Sequence, residues 1–295
     1  MATQIELLKK HRLPIRGIMG QHLLIDPNMQ RKIVDFLAPG PKDKVLEIGP
    51  GLGARTGEIL KRGVSVIAIE KDERFIPVLE EEFRVYGKKF KLFRGDILET
   101  NLRVILRAIL KDSSAALRVT REGEGRSQLK VISNLPYYIT APILLKLIEA
   151  RKLFSEAVLT MQKEVAQRLI AFPGTKHYGR LTLAVRYGAE VEHGFDIPKT
   201  CFTPAPEVDS SVVRLIFHKG PALLKSAEEK SLFNLIRIAF SQRRKTLLRV
   251  LSGERSLGTD RPRILEIFKS LGLSEKVRGE ELLLKDFMAL AAQLK

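Results

Sequence analysis

The chain has 295 residues, 44% of them hydrophobic, with a formal net charge of +17 and a single cysteine, Cys201. That hydrophobic share supports a real core and excludes global disorder. No apolar run approaches the roughly 18 residues of a membrane-spanning helix, and one cysteine excludes an intrachain disulfide or a cysteine metal cluster.

The N-terminus lacks the apolar core of a signal peptide, and the single cysteine makes a reducing cytoplasm the natural reading; a monomer with no metal and no membrane partner is expected. The charge surplus points instead to a polyanion, because each phosphate neutralised by Lys or Arg releases a counterion. Length suits one ordinary domain plus a small one.

Residues 1–20 are basic, carrying Lys9, Lys10, Arg12 and Arg16, and Gly17 and Gly20 argue against a continuous helix. Helical spacing runs from Pro27 to Leu37. The stretch on which the rest depends is Val45-Leu46-Glu47-Ile48-Gly49-Pro50-Gly51-Leu52-Gly53: a short strand, a turn with three alternate glycines, then a helix over 54–62. Glycine has no Cβ to hold a ligand away from the backbone, and a helix start offers free amides. Alone, the pattern fits a liganded turn or a bare one. The next strand, 64–69, is β-branched and ends at Glu70. A carboxylate there, roughly 20 residues past the turn, is placed for a ribose diol. The spacing G-x-G-x-G lacks the third glycine that gives G-x-G-x-x-G sites their tight helix packing. It suits S-adenosylmethionine, which has no pyrophosphate, better than NAD.

Residues 73–84 read as helix and 90–93 as a third strand ending at Gly95-Asp96. Asp96 is either a helix cap or an acceptor for an adenine amino group. A helix over 101–111 precedes the polar stretch 112–128, read as an exposed surface insertion. A fourth strand, 129–133, delivers Asn134-Leu135-Pro136-Tyr137-Tyr138 to a strand's carboxyl end, where open α/β sheets bind ligands. The competing reading is an Asn-led turn with a packing tyrosine. A helix over 141–151, a strand over 156–161, a helix from 162, a long strand over 181–191 and a last strand over 211–217 complete the alternation. It predicts a mostly parallel sheet with helices on both faces. Phe202 begins a proline-stiffened loop and either packs in the core or covers a bound base.

Gly220-Pro221 reads as a linker, followed by helical spacing over 227–250, 261–271 and 279–294. Residues 219–295 hold 16 Lys+Arg against 9 Asp+Glu, about twice the net charge per residue of 1–218. Two domains are therefore expected, 1–218 and 219–295, with Arg243, Arg244 and Lys245 of the second on RNA.

An adenine exocyclic amine is a poor nucleophile, because its lone pair is delocalised into the ring. A site that methylates it must place acceptors on its N–H groups. The Asn134 side-chain oxygen and Leu135 carbonyl suit this, with Pro136 fixing the turn and Tyr137 stacking on the base.

Jointly, several stretches resemble the ribosomal RNA adenine dimethyltransferase family, and within it the type A enzymes that act on small-subunit rRNA. They include Gly20-Gln21-His22-Leu23-Leu24, Glu47 to Gly53, Gly95-Asp96-Ile97, Asn134-Leu135-Pro136-Tyr137, Phe202-Thr203-Pro204-Ala205-Pro206 and Gln242-Arg243-Arg244-Lys245-Thr246. The resemblance implies a Rossmann-like seven-stranded class I methyltransferase sheet with a small all-helical C-terminal domain. It implies transfer of methyls from S-adenosylmethionine to N6 of two adjacent adenines near the 3′ end of small-subunit rRNA, on the immature 30S particle. Carried over residue by residue, cofactor contacts are His22, Leu24, Gly49, Gly51, Glu70, Asp96 and Asn134, and the catalytic set is Asn134, Leu135, Pro136, Tyr137 and Phe202. The family often has Asn-Phe where His22-Leu23 stand, and the 112–128 insertion is longer than usual.

Overall fold

The structure, a computed structural model, describes residues 3–14, 22–105, 129–218 and 226–294. The expectations for Gly17, Gly20-Gln21, the helix beyond 105, the 112–128 insertion and Gly220-Pro221 lie outside those residues. The chain divides into two compact units: Met1–Ala166 with Ala189–His218, and Gln167–Gly188 with Lys219–Lys295. The expected 218/219 boundary matches one division, but segment 167–188, expected in the first domain, clusters with the second. No helix among the described residues is long and apolar enough to cross a membrane.

The first unit contains α1 (Gln4–Lys10), β1 (Leu23–Leu24), α2 (Pro27–Leu37), β2 (Lys44–Ile48), α3 (Ala54–Lys61), β3 (Ser65–Glu70) and α4 (Ile76–Phe83). It continues through β4 (Phe90–Arg94), β5 (Leu129–Asn134), α5 (Thr140–Glu149), β6 (Phe154–Gln162), β7 (Ala189–Ile197), β8 (Phe202–Thr203) and β9 (Ser210–Phe217). Seven strands form one sheet in the order β4-β3-β2-β5-β6-β9-β7. Strands β4 to β6 are parallel, and β9 runs antiparallel between β6 and β7. The central strands read as near-continuous apolar runs because helices cover both faces, so alternation never shows. Helix α2 illustrates the packing. Asp26 caps it by accepting from the Met29 amide, and Ile33, Val34 and Leu37 are fully buried. Each contributes about 1.5–3 kcal/mol by leaving water.

The third glycine of the turn packs closely despite its unusual spacing. Gly53 sits at φ +79°, and a Cβ there would stand 2.3 Å from the Phe83 ring. Close packing of the turn against α4 thus depends on this glycine, although it lies one residue early for the dinucleotide pattern.

The second unit holds the end of α6 (Lys163–Ile170), then α7 (Arg180–Gly188), α8 (Ser226–Ala239), α9 (Leu247–Ser252), α10 (Arg261–Ser270) and α11 (Leu284–Gln293). Its own core includes Tyr178, Leu183, Tyr187, Ile236, Phe268 and Phe287. Two expectations need correction. The long strand over 181–191 is a helix to Gly188 and a strand only from Ala189. Thr182 to Val185, Tyr187 and Gly188 are all buried, so no polar face marks the 3.6-residue period. The single helix over 227–250 is two helices. Ser241 to Lys245 are all exposed with nothing apolar to bury, and Thr246 caps a fresh start by accepting from the Arg249 amide.

Candidate active site

Parallel register brings the functional strand tips level. Ile48 at the end of β2 pairs with Ile69 and Ser133, and Glu70 pairs with Arg94. Strand order reverses between β2 and β5, which opens a crevice at their carboxyl ends. A cavity of about 570 Å³ lies there, walled by Ile48, Gly49, Ile69, Glu70, Asp96 and Ile97 among others. That volume lies within the ~300–1,000 Å³ typical of ligand sites.

At the turn, Gly49 adopts φ +65°, and no atom lies within 4 Å of where its Cβ would be. A ligand can therefore lie directly on the backbone. The Glu70 carboxylate is held by two amides, from Gly51 at 3.0 Å and Asp72 at 2.8 Å. Burial nevertheless pushes it up to about 7, since those bonds only partly offset desolvation. Its remaining lone pairs suit a diol. Asp96 accepts from the Leu98 amide and from Lys71 Nζ, each at 2.8 Å. Burial pushes this carboxyl up, but Lys71 and that amide outweigh it and leave it below its usual value. Asp96 caps the local turn through the Leu98 amide and also lines the cavity.

Asn134 ends β5. Its Nδ2 donates to the His22 carbonyl at 2.9 Å. A carbonyl only accepts, which fixes the amide's orientation and leaves Oδ1 as the other atom. That Oδ1 is buried and has no partner. An unmet buried acceptor costs about 1–3 kcal/mol, which a ligand's donor would recover. Asn134 lines a second, small cavity of about 30 Å³ with Leu24, Gly51 and Arg55, and Gly49 lines both cavities.

The remaining expected residues separate. Pro136 lines the large cavity. Leu135 is buried, and its amide donates to Thr160 O at 2.9 Å. Tyr137 is half-buried. Its hydroxyl lies 2.8 Å from Ser210 Oγ, and its ring stacks on that of His22 with centroids 5.2 Å apart. His22 lines neither cavity: its Nδ1 donates to the Pro204 carbonyl at 2.7 Å, and its own carbonyl orients Asn134. Leu24 lines the small cavity, and its carbonyl accepts from Gln4 and Gln30. Phe202 is 3% exposed and pairs with Leu24 in the small sheet, so it packs in the core rather than walling the cavity.

Sequence reasoning missed Tyr138, which is 56% exposed on the cavity rim, and Arg55. The only signals were a second aromatic beside Tyr137 and a cation just after the glycine turn.

In the second unit, Arg243 makes four hydrogen bonds. Its Nε and Nη2 donate to Glu280 at 3.1 and 2.7 Å, Nη1 to the Lys176 carbonyl, and Nη2 to that of Tyr178. It clamps its own unit although, like Arg244 and Lys245, it is exposed.

A glycine turn, a carboxylate closing the sheet's second strand in chain order and a side-chain amide with one unmet oxygen closing its fourth, on a sheet of this order, define a class I S-adenosylmethionine-dependent methyltransferase. The sequence pattern described as "Ribosomal RNA adenine dimethylase" matches residues 14–276. Two proteins named "Ribosomal RNA small subunit methyltransferase A", from Bacillus cytotoxicus and a Geobacillus species, are 37% and 38% identical over 290 residues. The match covers 98% of this chain and 94% of each of theirs. A dimethyladenosine transferase from Plasmodium falciparum superposes with a TM-score of 0.74 at 29% identity, over 91% of this chain and 96% of that one. The 23S rRNA methyltransferase ErmE shares the fold, with a TM-score of 0.63 at 22% identity over 92% of this chain and 99% of that one. The chain belongs to the ribosomal RNA adenine dimethylase family and is an rRNA adenine dimethyltransferase that uses S-adenosylmethionine. The open cradle at Gly49, the buried Glu70 carboxylate and the unmet Asn134 Oδ1 fit that donor.

Proposed function

We propose that this chain acts as a monomer on the immature small ribosomal particle, converting two adjacent adenines near the 3′ end of its rRNA to N6,N6-dimethyladenine. The observation that carries the reading is Asn134: an acceptor oxygen, buried and unpartnered, oriented from behind by a backbone carbonyl, in the small cavity whose Gly49 also lines the adenosine-sized one. The names of the relatives, which specify the small ribosomal particle, support the choice of RNA.

S-adenosylmethionine supplies an electrophilic methyl on a sulfonium. Glu70 and Asp96 hold the adenosine end at the tips of β3 and β4. Asn134 Oδ1 and the Leu135 carbonyl accept from the two N–H bonds of the target amine, favour a pyramidal nitrogen and aim its lone pair. Tyr137 has one face against His22 and offers the other to the extracted base. No buried base is needed, since the nitrogen sheds its proton only after it has become cationic. Arg244 and Lys245 contact phosphates.

Incubating the protein with labelled methyl donor and undermethylated small subunits should place label in N6,N6-dimethyladenine at two adjacent positions. No label there, with the donor bound, overturns the reading.

A further inference from the structure

Behind the glycine turn lies a buried ion pair that the site as described does not use. Glu47 is 0% exposed and Arg55 6%. Glu47 Oε2 accepts from Thr56 Oγ1 at 2.5 Å. Its Oε1 lies 3.4 Å from Arg55 Nε, but the two are not hydrogen-bonded, and both atoms are left unpartnered. A guanidinium carries five N–H donors, and burying it with so few acceptors is costly. The Nε edge faces Glu47, which leaves the terminal nitrogens for something else. Arg55 lines the 30 Å³ cavity beside Gly51 and Asn134, and Gly49 lines both that cavity and the large one. A molecule lying with its adenosine in the large cavity and crossing Gly49 carries its far end toward Arg55. For the methyl donor that far end is an α-amino acid, whose carboxylate matches the planar fork of arginine.

We infer that Arg55 binds the α-carboxylate of the methyl donor's methionine portion, with Glu47 bracing the guanidinium from behind. The inference rests on the donor proposed above. It explains why a cation is tolerated at this depth: the ligand brings the missing acceptors and charge. Burial pushes the Glu47 carboxyl upward against the pull of Arg55, which weakens the internal pair and favours an external anion.

Calorimetry on the full chain tests it with two probes that share an adenosine thioether. S-adenosylhomocysteine carries the carboxylate, and 5′-methylthioadenosine lacks the amino-acid end. Arg55→Gln should weaken S-adenosylhomocysteine about 10- to 150-fold, the range of a hydrogen bond to a charged group, and change 5′-methylthioadenosine less than about twofold. Arg55→Lys, which keeps the charge without the fork, should fall between. If Arg55→Gln does not fold, decarboxylated S-adenosylhomocysteine on the unaltered chain should show the same deficit. Equal weakening of both probes, or no weakening, overturns the role of Arg55. If the unaltered chain binds neither probe, the donor assignment fails and this inference with it.

Discussion

Replacing Asn134 by alanine separates its two jobs. The first is structural: the Nδ2 bond to the His22 carbonyl disappears and that carbonyl loses its donor. A net loss of about 1 kcal/mol in stability follows, with a fall of roughly 2–4 °C in melting temperature at this size. The second is catalytic: Oδ1 is the acceptor proposed to shape the amine as charge develops on it. Removing one preorganised partner of a developing charge costs about 2.7–4 kcal/mol, or 10²–10³ in kcat. Single-turnover methylation of undermethylated small subunits reads the chemical step, calorimetry with S-adenosylhomocysteine reads binding, and thermal melting reads stability. The expected pattern is a large fall in the single-turnover rate, a binding loss of less than about tenfold and a small thermal shift. A single-turnover rate within about threefold of the parent, with binding intact, would refute the assignment of Oδ1 to the target amine.

Glu70 predicts a pH effect of definite sign. Its folded value, raised to about 7 from 4.5, means the protonated carboxyl is favoured on folding. That contribution is complete below 4.5 and is lost as pH rises to about 7, by roughly 3 kcal/mol. Glu70→Gln should lack this slope in melting curves taken between about pH 4.5 and 8. Ribose hydroxyls favour the ionised carboxylate, so donor binding near pH 6.5 should release a proton, seen as heats that differ between buffers of different ionisation enthalpy. Gly49→Ala meets open space and adds only about 1–2 kcal/mol of left-handed backbone cost, so its main loss should be donor affinity. Gly53→Ala adds the Phe83 clash to the same cost and should instead unfold the first unit at markedly lower denaturant. Arg244→Ala should leave melting unchanged and reduce the salt slope of rRNA binding by about one ion. Arg243→Ala should lower stability, because it empties the clamp on Glu280, Lys176 and Tyr178.

The sequence by itself determined what depends on near neighbours. Apolar runs ending in Gly49, Glu70 and Asn134 announced strands with chemistry at their tips, since a buried parallel strand needs little but β-branched and aliphatic residues in a row. The net charge of +17 announced a polyanionic partner in the same way. Tertiary structure alone decided which groups were already spoken for. The Leu24 carbonyl is occupied by Gln4 and Gln30, Phe202 by the core and Arg243 by Glu280, and 180–188 is a helix whose 3.6-residue period its near-complete burial hides. Those partners lie 6 to 37 residues away along the chain in the bonds made by Gln30, Gln4 and Arg243. A hydrogen bond or a clash is settled by ångströms in space, and sequence distance carries no record of those.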